Sequence, residues 1–198
     1  MIIVLNNTLV IKMTLTYSNY NILKQNSIAP KFNLPGTDGK NHSLELYPGK
    51  KAYLVVFMCN HCPYVQPKFA YLKNLYKNYK EKGLMVFGIN SNDIEAYGED
   101  DFEHMKEYAK KHEFGFPYLL DETQKAAKNY GAACTPDPFL FDANKKLVYH
   151  GRIDDAHKMA HESASTNELE EAIQQVLGGK QVTVREEPSL GCNVKWKE

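Results

Sequence analysis

The feature that most constrains this chain is a C-x-x-C pair that stands between a strand-like segment and a helix-like segment. The apolar run Ala52–Phe57 predicts a buried strand, and residues 63–79 repeat apolar side chains at helical spacing. Cys59 and Cys62 lie between them. A cysteine at the first turn of a helix faces unpaired N–H groups, which favour thiolate over thiol. We therefore predict Cys59 to be the exposed nucleophile of low pKa, and Cys62 the shielded thiol that resolves a mixed disulfide.

The remainder of the chain alternates strand-like and helix-like patterns. They comprise a second buried strand at Leu84–Asn90, helices around Phe102–Ala109 and at 122–130, paired strands at Phe139–Phe141 and Leu147–Tyr149, and a last helix opened by a capping box of Ser165 and Glu168. A β-α-β-α order that closes with a hairpin and a helix predicts a mixed sheet covered on both faces.

Composition limits the function classes. With 198 residues, 43% of them hydrophobic, the chain has the size of one ordinary core. Lys+Arg and Asp+Glu both number 24, so we expect no nucleic acid and no membrane surface as partner. Four cysteines are too few for a disulfide-dense secreted scaffold, which favours a reducing compartment, and we predict a cytoplasmic protein. The first residues lack a basic leader, and Met13 is an alternative start.

Four features together resemble the thioredoxin superfamily, and within it the thioredoxin-like branch of the AhpC/TSA family. They are the entry Ala29-Pro30-Lys31-Phe32, the strand followed by Cys59-Asn60-His61-Cys62, Pro67 after the second cysteine, and Thr135-Pro136 before Phe139-Leu140-Phe141-Asp142. The resemblance implies an α/β thioredoxin fold with a mixed central β-sheet flanked by helices on both faces. It covers residues 28–178, with a variable N-terminal extension at 1–27 and a C-terminal tail at 179–198 that packs on the domain.

The resemblance also implies roles for particular residues. The Thr135-Pro136 bond is expected to be cis and to face the C-x-x-C loop as a backbone platform for the substrate. His61 is expected to stabilise the thiolate, as in C-x-H-C disulfide isomerases and oxidases. The alternative for His61 is a solvated loop residue without a role.

The sequence departs from the peroxidase pattern of the family. Val56 stands where peroxiredoxins carry Thr or Ser before the reactive cysteine, and the chain's two arginines, Arg152 and Arg185, do not match the family position near Pro136. Developing charge on a peroxide oxygen would lack preorganised donors. We therefore expect peroxide reduction to be slow compared with disulfide exchange.

The predicted function is a thiol-disulfide oxidoreductase that exchanges a Cys59–Cys62 dithiol with protein or low-molecular-weight disulfides and with a thiol reductant system. It requires no cofactor and no metal. One alternative is a thiol peroxidase that uses Cys59. The other is a metal-binding or metallochaperone module that uses Cys59 and Cys62 of the C-x-x-C pair and a histidine.

Two further cysteines have open roles. Cys134, close to Pro136, is either an auxiliary thiol or a buried small hydrophobic residue. Cys192 is either a resolving thiol, as an exchange partner for Cys59 or Cys134, or a passive residue of the tail. Trp196 nearby is expected to pack onto the domain or onto a partner subunit and hold this segment in place.

Overall fold

A mixed β-sheet and four α-helices form the part of the chain, residues 14–198, that this computed structural model describes. The predicted alternative start at Met13 lies outside that range. In chain order the strands are β1 (Leu15–Tyr17), β2 (Leu34–Pro35), β3 (Asn41–His42), β4 (Ala52–Phe57), β5 (Leu84–Asn90), β6 (Tyr118–Leu120), β7 (Cys134–Thr135), β8 (Asp137–Asp142), β9 (Leu147–His150) and β10 (Leu190–Asn193). The helices are α1 (Phe69–Tyr79), α2 (Phe102–Lys111), α3 (Lys125–Tyr130) and α4 (Glu168–Leu177).

The central sheet has the strand order β6-β5-β4-β8-β9. Strands β4, β5 and β6 run parallel, whereas β8 and β9 are antiparallel to their neighbours, so the predicted mixed sheet is confirmed. Every residue of β4 and β5 is buried, which explains why both strands are continuous apolar runs rather than alternating ones. The loop that follows β4 therefore starts from the middle of the sheet.

Helices cover the sheet on both faces, as predicted. Leu54 and Val56 of β4 pack in one buried cluster with side chains of α1, α2 and α4. Tyr53, Val55 and Phe57 alternate with them and pack in a second cluster with α3. None of the helices within residues 14–198 has the length and apolar content that a bilayer crossing requires.

The C-terminal segment contributes to a small three-stranded sheet against the domain. Strand β10 lies between β1 and β7 and pairs antiparallel with both. Val194 and Lys195, rather than the tryptophan, are the buried residues after it, since Trp196 keeps 41% of its surface exposed beside Lys128. The ranges assigned above to an extension, a domain and a tail stay predictions.

Helix α1 begins later than its apolar pattern predicts. Residues 63–65 form turns, Gln66–Lys68 form a 3-10 turn, and the α-helix starts only at Phe69. Pro67 therefore lies ahead of α1 instead of kinking it, a position where its missing N–H costs no helical hydrogen bond. The turns that lead into α1 begin at Cys62. Its carbonyl oxygen accepts hydrogen bonds from the Val65 nitrogen at 2.9 Å and from the Gln66 nitrogen at 3.0 Å. The prediction that Cys59 occupies the first helical turn is thus wrong.

Candidate active site

The C-x-x-C loop is enclosed by the rest of the chain. Cys59 is 1% exposed and Cys62 is 0% exposed, and all four cysteines are buried free thiols. The prediction that Cys59 is an exposed thiol is therefore wrong for this state. The loop emerges from the centre of the sheet, where the Thr135-Pro136 segment and the turn that carries Asp100 close over it.

The Thr135-Pro136 segment faces the cysteines, and its peptide bond is cis, which confirms that prediction. Thr135 Oγ1 lies 3.8 Å from the Cys59 sulfur, and the Cys62 thiol donates to the Thr135 carbonyl oxygen at 3.2 Å. The register of the sheet produces this contact, because Asp137 of β8 lies opposite Phe57 at the end of β4. The residues just before β8 and just after β4 consequently meet at one edge of the sheet.

Asp100 fixes the conformation of the loop between the cysteines. Its carboxyl group is fully buried and accepts hydrogen bonds from the Asn60 backbone at 2.8 Å and from the Asn92 amide at 2.7 Å. Asn60 in turn accepts a hydrogen bond from the Tyr118 hydroxyl at 3.0 Å. Sequence reasoning missed Asp100, because an acidic residue between a strand and a helix carries no signal that it folds back onto a distant loop.

His61 pairs with the same carboxyl group. Its Nδ1 lies 2.7 Å from Asp100 Oδ2, a close contact between the two groups that is not aligned as a hydrogen bond, and its ring stacks on Tyr97 at 5.8 Å. Burial lowers the pKa of His61, but the proximity and charge of Asp100 raise it by more, so the pKa of His61 is raised overall. His61 is therefore a largely buried residue with a defined partner, and the interpretation of a solvated loop residue does not hold.

The two cysteines differ in the direction of their pKa shifts. Burial, the contact with Cys62 and the charge of Asp100 raise the pKa of Cys59. The proximity of the Cys192 and Cys59 thiols lowers the pKa of Cys62. The predicted order, with Cys59 as the thiol of low pKa, is thus reversed in this dithiol state, because Cys59 is enclosed and not at a helix N-terminus.

The two further cysteines occupy different surroundings. The Cys134 sulfur faces the carbonyl oxygens of Pro136 and Ser189, each at 3.8 Å, and burial raises the pKa of Cys134. Cys192 belongs to the same buried cluster as Cys59 and Cys62, and it lies opposite Thr135 in the pairing of β10 with β7. The structure therefore brings Cys192 to the C-x-x-C pair, on the side of Cys62.

The arginines point to other partners. Arg152 Nε donates to Glu168 at 2.9 Å, and Arg185 Nε lies 2.8 Å from Glu187. These are the two arginines of the chain. Val56 is buried within β4. Because its side chain is apolar, it offers no hydrogen-bonding group to the sulfur of Cys59.

Three possible metal ligands converge at the loop. Ligand atoms of Cys59, His61 and Asp100 all lie within 4.8 Å of one another. Thiolate, imidazole and carboxylate are the ligand types that zinc accepts. The metal alternative used Cys59, Cys62 and a histidine, so the part of this grouping that was not predicted is Asp100 in place of Cys62.

The fold is a thioredoxin-like α/β fold with a buried pair of thiols, and comparisons with known proteins agree. A family model described as Redoxin matches residues 24–169, so the chain belongs to the Redoxin family. The crystal structure of a hypothetical protein from Sinorhizobium meliloti 1021 is 40% identical, with a TM-score of 0.87, over 92% of this chain and 98% of that one.

Two curated relatives represent two kinds of redox protein. A thiol-disulfide oxidoreductase ResA from Bacillus thuringiensis is 27% identical over 61% of this chain and 65% of the relative, which is less than two thirds of its length. A chloroplastic peroxiredoxin Q from Triticum aestivum is 29% identical over 55% of this chain and 46% of the relative. The matches therefore include both thiol-disulfide oxidoreductases and peroxiredoxins.

Proposed function

We propose that the protein is a thiol-disulfide oxidoreductase whose redox couple is the Cys59–Cys62 pair. The observation that carries this proposal is the position of Thr135, which contacts both sulfurs and directly precedes the cis proline. Two thiols in one C-x-x-C loop can form a short disulfide and exchange it with a substrate disulfide. The alternative peroxidase lacks a comparable observation, since both arginines pair with glutamates elsewhere.

The reaction transfers two electrons from the protein to a substrate disulfide. Cys59 attacks one substrate sulfur, the substrate S–S bond breaks, and the leaving sulfur takes a proton. Cys62 then attacks the Cys59 sulfur of the mixed disulfide and releases the second substrate sulfur as a thiol. The protein becomes the Cys59–Cys62 disulfide, the substrate becomes two thiols, and an external thiol reductant restores the dithiol.

The proton arrangement fits this sequence of steps. The Cys59 and Cys62 thiols are close enough to shift each other's pKa, so a proton that passes from Cys59 to Cys62 leaves the negative charge on Cys59 at the moment of attack. Asp100 opposes negative charge on Cys59, but a protonated His61 beside Asp100 offsets that repulsion. His61 is then a thiolate-stabilising residue that acts through Asp100.

The assignment of roles can be tested by turnover. Reduction of insulin disulfides and of glutathione disulfide is measured with the wild type and with Cys59→Ser and Cys62→Ser, using dithiothreitol as reductant. The matched control is Cys134→Ser, which removes a buried thiol that faces Pro136 and Ser189 rather than the loop. We expect both loop variants to lose turnover and the control to retain it. Turnover that survives in Cys59→Ser would contradict the proposal.

A second candidate function is favoured by the convergence of Cys59, His61 and Asp100. We infer that these residues would bind a divalent transition metal through one sulfur, one nitrogen and one oxygen. Calorimetric titration of the reduced protein with Zn²⁺, compared with Asp100→Asn and with Cys134→Ser, tests this function. Tight binding that Asp100→Asn weakens and Cys134→Ser leaves intact would promote it, and the absence of binding would remove it.

The cellular setting belongs to the same proposal. The substrates would be protein or low-molecular-weight disulfides, the electron donor would be a thiol reductant system, and the location would be the cytoplasm. The support is the sequence, in which four cysteines in 198 residues argue against a disulfide-dense secreted scaffold.

A further inference from the structure

The strand edge beside the C-x-x-C loop is occupied by the chain's own tail. Strand β10 pairs with β7, placing Cys192 opposite Thr135 and Asn193 opposite Cys134, and Val194 donates to the Ala133 carbonyl at 3.1 Å. The approach is close enough that a Cβ on Gly191 would lie 2.0 Å from the Thr135 carbonyl oxygen. Glycine at this position is therefore what allows the tail to lie against the backbone of the candidate site.

Thr135 brings two thiols of different segments together. The Cys62 thiol lies 3.2 Å from the Thr135 carbonyl oxygen, and Cys192 is the residue that faces Thr135 across the strand pair. Cys192 is only 2% exposed, and it belongs to the same buried cluster as Cys59 and Cys62. Cys192 is close enough to Cys62 that it lowers the pKa of the Cys62 thiol. A sulfur held this close to one half of a redox pair is in position for disulfide exchange.

We propose that Cys192 is a third redox thiol of this centre, which accepts Cys62 from the Cys59–Cys62 disulfide. This inference rests on the proposed function, because it starts from that disulfide. The Cys192 thiolate attacks the Cys62 sulfur, the Cys59–Cys62 bond breaks, and Cys59 leaves as a thiolate that takes up the proton lost by Cys192. One disulfide is consumed and one is formed, so no external oxidant or reductant takes part in the step.

The exchange has two consequences for the centre. Cys59 returns to the free thiol while the oxidising equivalent is retained on the Cys62–Cys192 bond. That bond also ties β10 to the C-x-x-C loop, which holds the tail on the Thr135 edge until a reductant releases it. Cys134 does not compete for this role, because its sulfur faces the Pro136 and Ser189 carbonyl oxygens.

The test is disulfide mapping of the full-length protein. Wild-type protein is oxidised with glutathione disulfide, quenched in acid, alkylated with N-ethylmaleimide and mapped by mass spectrometry without reduction. We expect a peptide that links Cys62 to Cys192, beside one that links Cys59 to Cys62. The Cys62–Cys192 peptide should become the dominant internal cross-link in Cys59→Ser and should be lost in Cys192→Ser, while Cys134→Ser leaves the wild-type pattern unchanged.

The outcomes separate the two proposals. A wild-type protein that forms only the Cys59–Cys62 disulfide, with Cys192 alkylated, overturns the third-thiol inference and leaves the proposed function standing. The same conclusion follows if Cys62 of Cys59→Ser carries only glutathione. A wild-type protein in which Cys59 and Cys62 never join overturns the proposed function itself. The wild-type map alone is enough to separate the two proposals, so that separation does not depend on how well a variant folds.

Discussion

The Cys62 thiol donates a hydrogen bond of 3.2 Å to the carbonyl oxygen of Thr135, the residue that precedes the cis proline. The side chain of the same threonine lies 3.8 Å from the sulfur of Cys59. One residue thus contacts the two sulfurs through different atoms, the backbone for Cys62 and the hydroxyl for Cys59. Substitution of the side chain can separate these contacts.

Thr135→Val should slow the reaction of Cys59 with iodoacetamide several-fold. The hydroxyl contact lowers the pKa of Cys59, and a net hydrogen bond of about 1 kcal/mol corresponds to roughly a fivefold effect. The carbonyl that Cys62 uses is unchanged by this substitution. Peptide mapping after timed alkylation measures each cysteine separately, with the exposed Thr183→Val as control. Equal slowing of Cys62 would show that the variant disturbs the whole loop instead.

The His61–Asp100 pair should make stability depend on pH. The folded pKa of His61 is raised above the ordinary value of 6.5 through Asp100, so the pair's contribution is fully present below pH 6.5. It is lost as pH rises through the folded pKa. Asp100→Asn should remove this component, so the stability difference between wild type and variant shrinks with rising pH over that window. Urea unfolding across pH checks this, with His61→Gln as the matched variant. A difference that grows with pH would contradict the assignment.

Removal of one partner of the buried Lys68–Asp154 ion pair should lower the free energy of unfolding. Lys68 is 1% exposed, and its Nζ donates to the two Asp154 oxygens at 2.6 and 2.7 Å. Lys68→Met leaves a buried carboxylate without its main partner, and we expect a loss of about 3–5 kcal/mol of unfolding free energy. Lys73→Met, which breaks a more exposed pair with Glu113, should cost less than about 1 kcal/mol. Chemical denaturation of both variants measures the contrast, and equal losses would refute it.

Peroxide reduction should be slow in this protein. Arg152 and Arg185 are engaged by Glu168 and Glu187, so the C-x-x-C loop has no arginine to polarise a peroxide. Stopped-flow oxidation of the dithiol by hydrogen peroxide should be slower than its oxidation by a reactive disulfide at equal concentration. Faster oxidation by hydrogen peroxide than by the disulfide would favour the peroxidase alternative, which is the kind of protein that the peroxiredoxin Q relative represents.

Gly191→Ala should release the tail from the Thr135 edge. The added Cβ would meet the Thr135 carbonyl oxygen at 2.0 Å, and overpacking of this kind costs about 1–3 kcal/mol. Cys62 and Cys192 should then be alkylated faster than in the wild type. Gly115→Ala is the matched control, because its Cβ makes ordinary contact with Tyr76 at 3.6 Å. Unchanged alkylation of both cysteines would mean that β10 does not limit access to the site.

Much of the fold could be predicted from local patterns, and the errors lie at helix starts. The buried strand β4 and the helix after it were visible as an apolar run and an apolar periodicity. The start of α1 was misplaced because the periodicity continues through Pro67 although the α-helix does not. The capping box of Ser165 and Glu168 was also wrong. Asn167 is the N-cap of α4, and the Glu168 carboxylate binds Arg152 instead of the helix end.

The candidate site was predictable only where its residues follow one another in sequence. The cysteine pair and the Thr135-Pro136 segment carry recognisable motifs, so their proximity could be expected from a family resemblance. Asp100 could not be found this way, because its partners Asn60 and His61 belong to a distant loop. The burial of Cys59 was missed for the same reason, since the segments that cover it are remote in the chain.

A redox titration tests the central claim most directly. The wild type and Cys134→Ser are equilibrated in glutathione buffers of stepped potential, and trapped thiols on Cys59 and Cys62 are counted by mass spectrometry. We predict one two-electron transition in which Cys62 loses its thiol together with Cys59, or together with Cys192 where the proposed exchange has occurred, with a tenfold change in the ratio of oxidised to reduced protein for about 30 mV. A wild-type protein that keeps Cys59 and Cys62 as independent thiols across the whole series would contradict it.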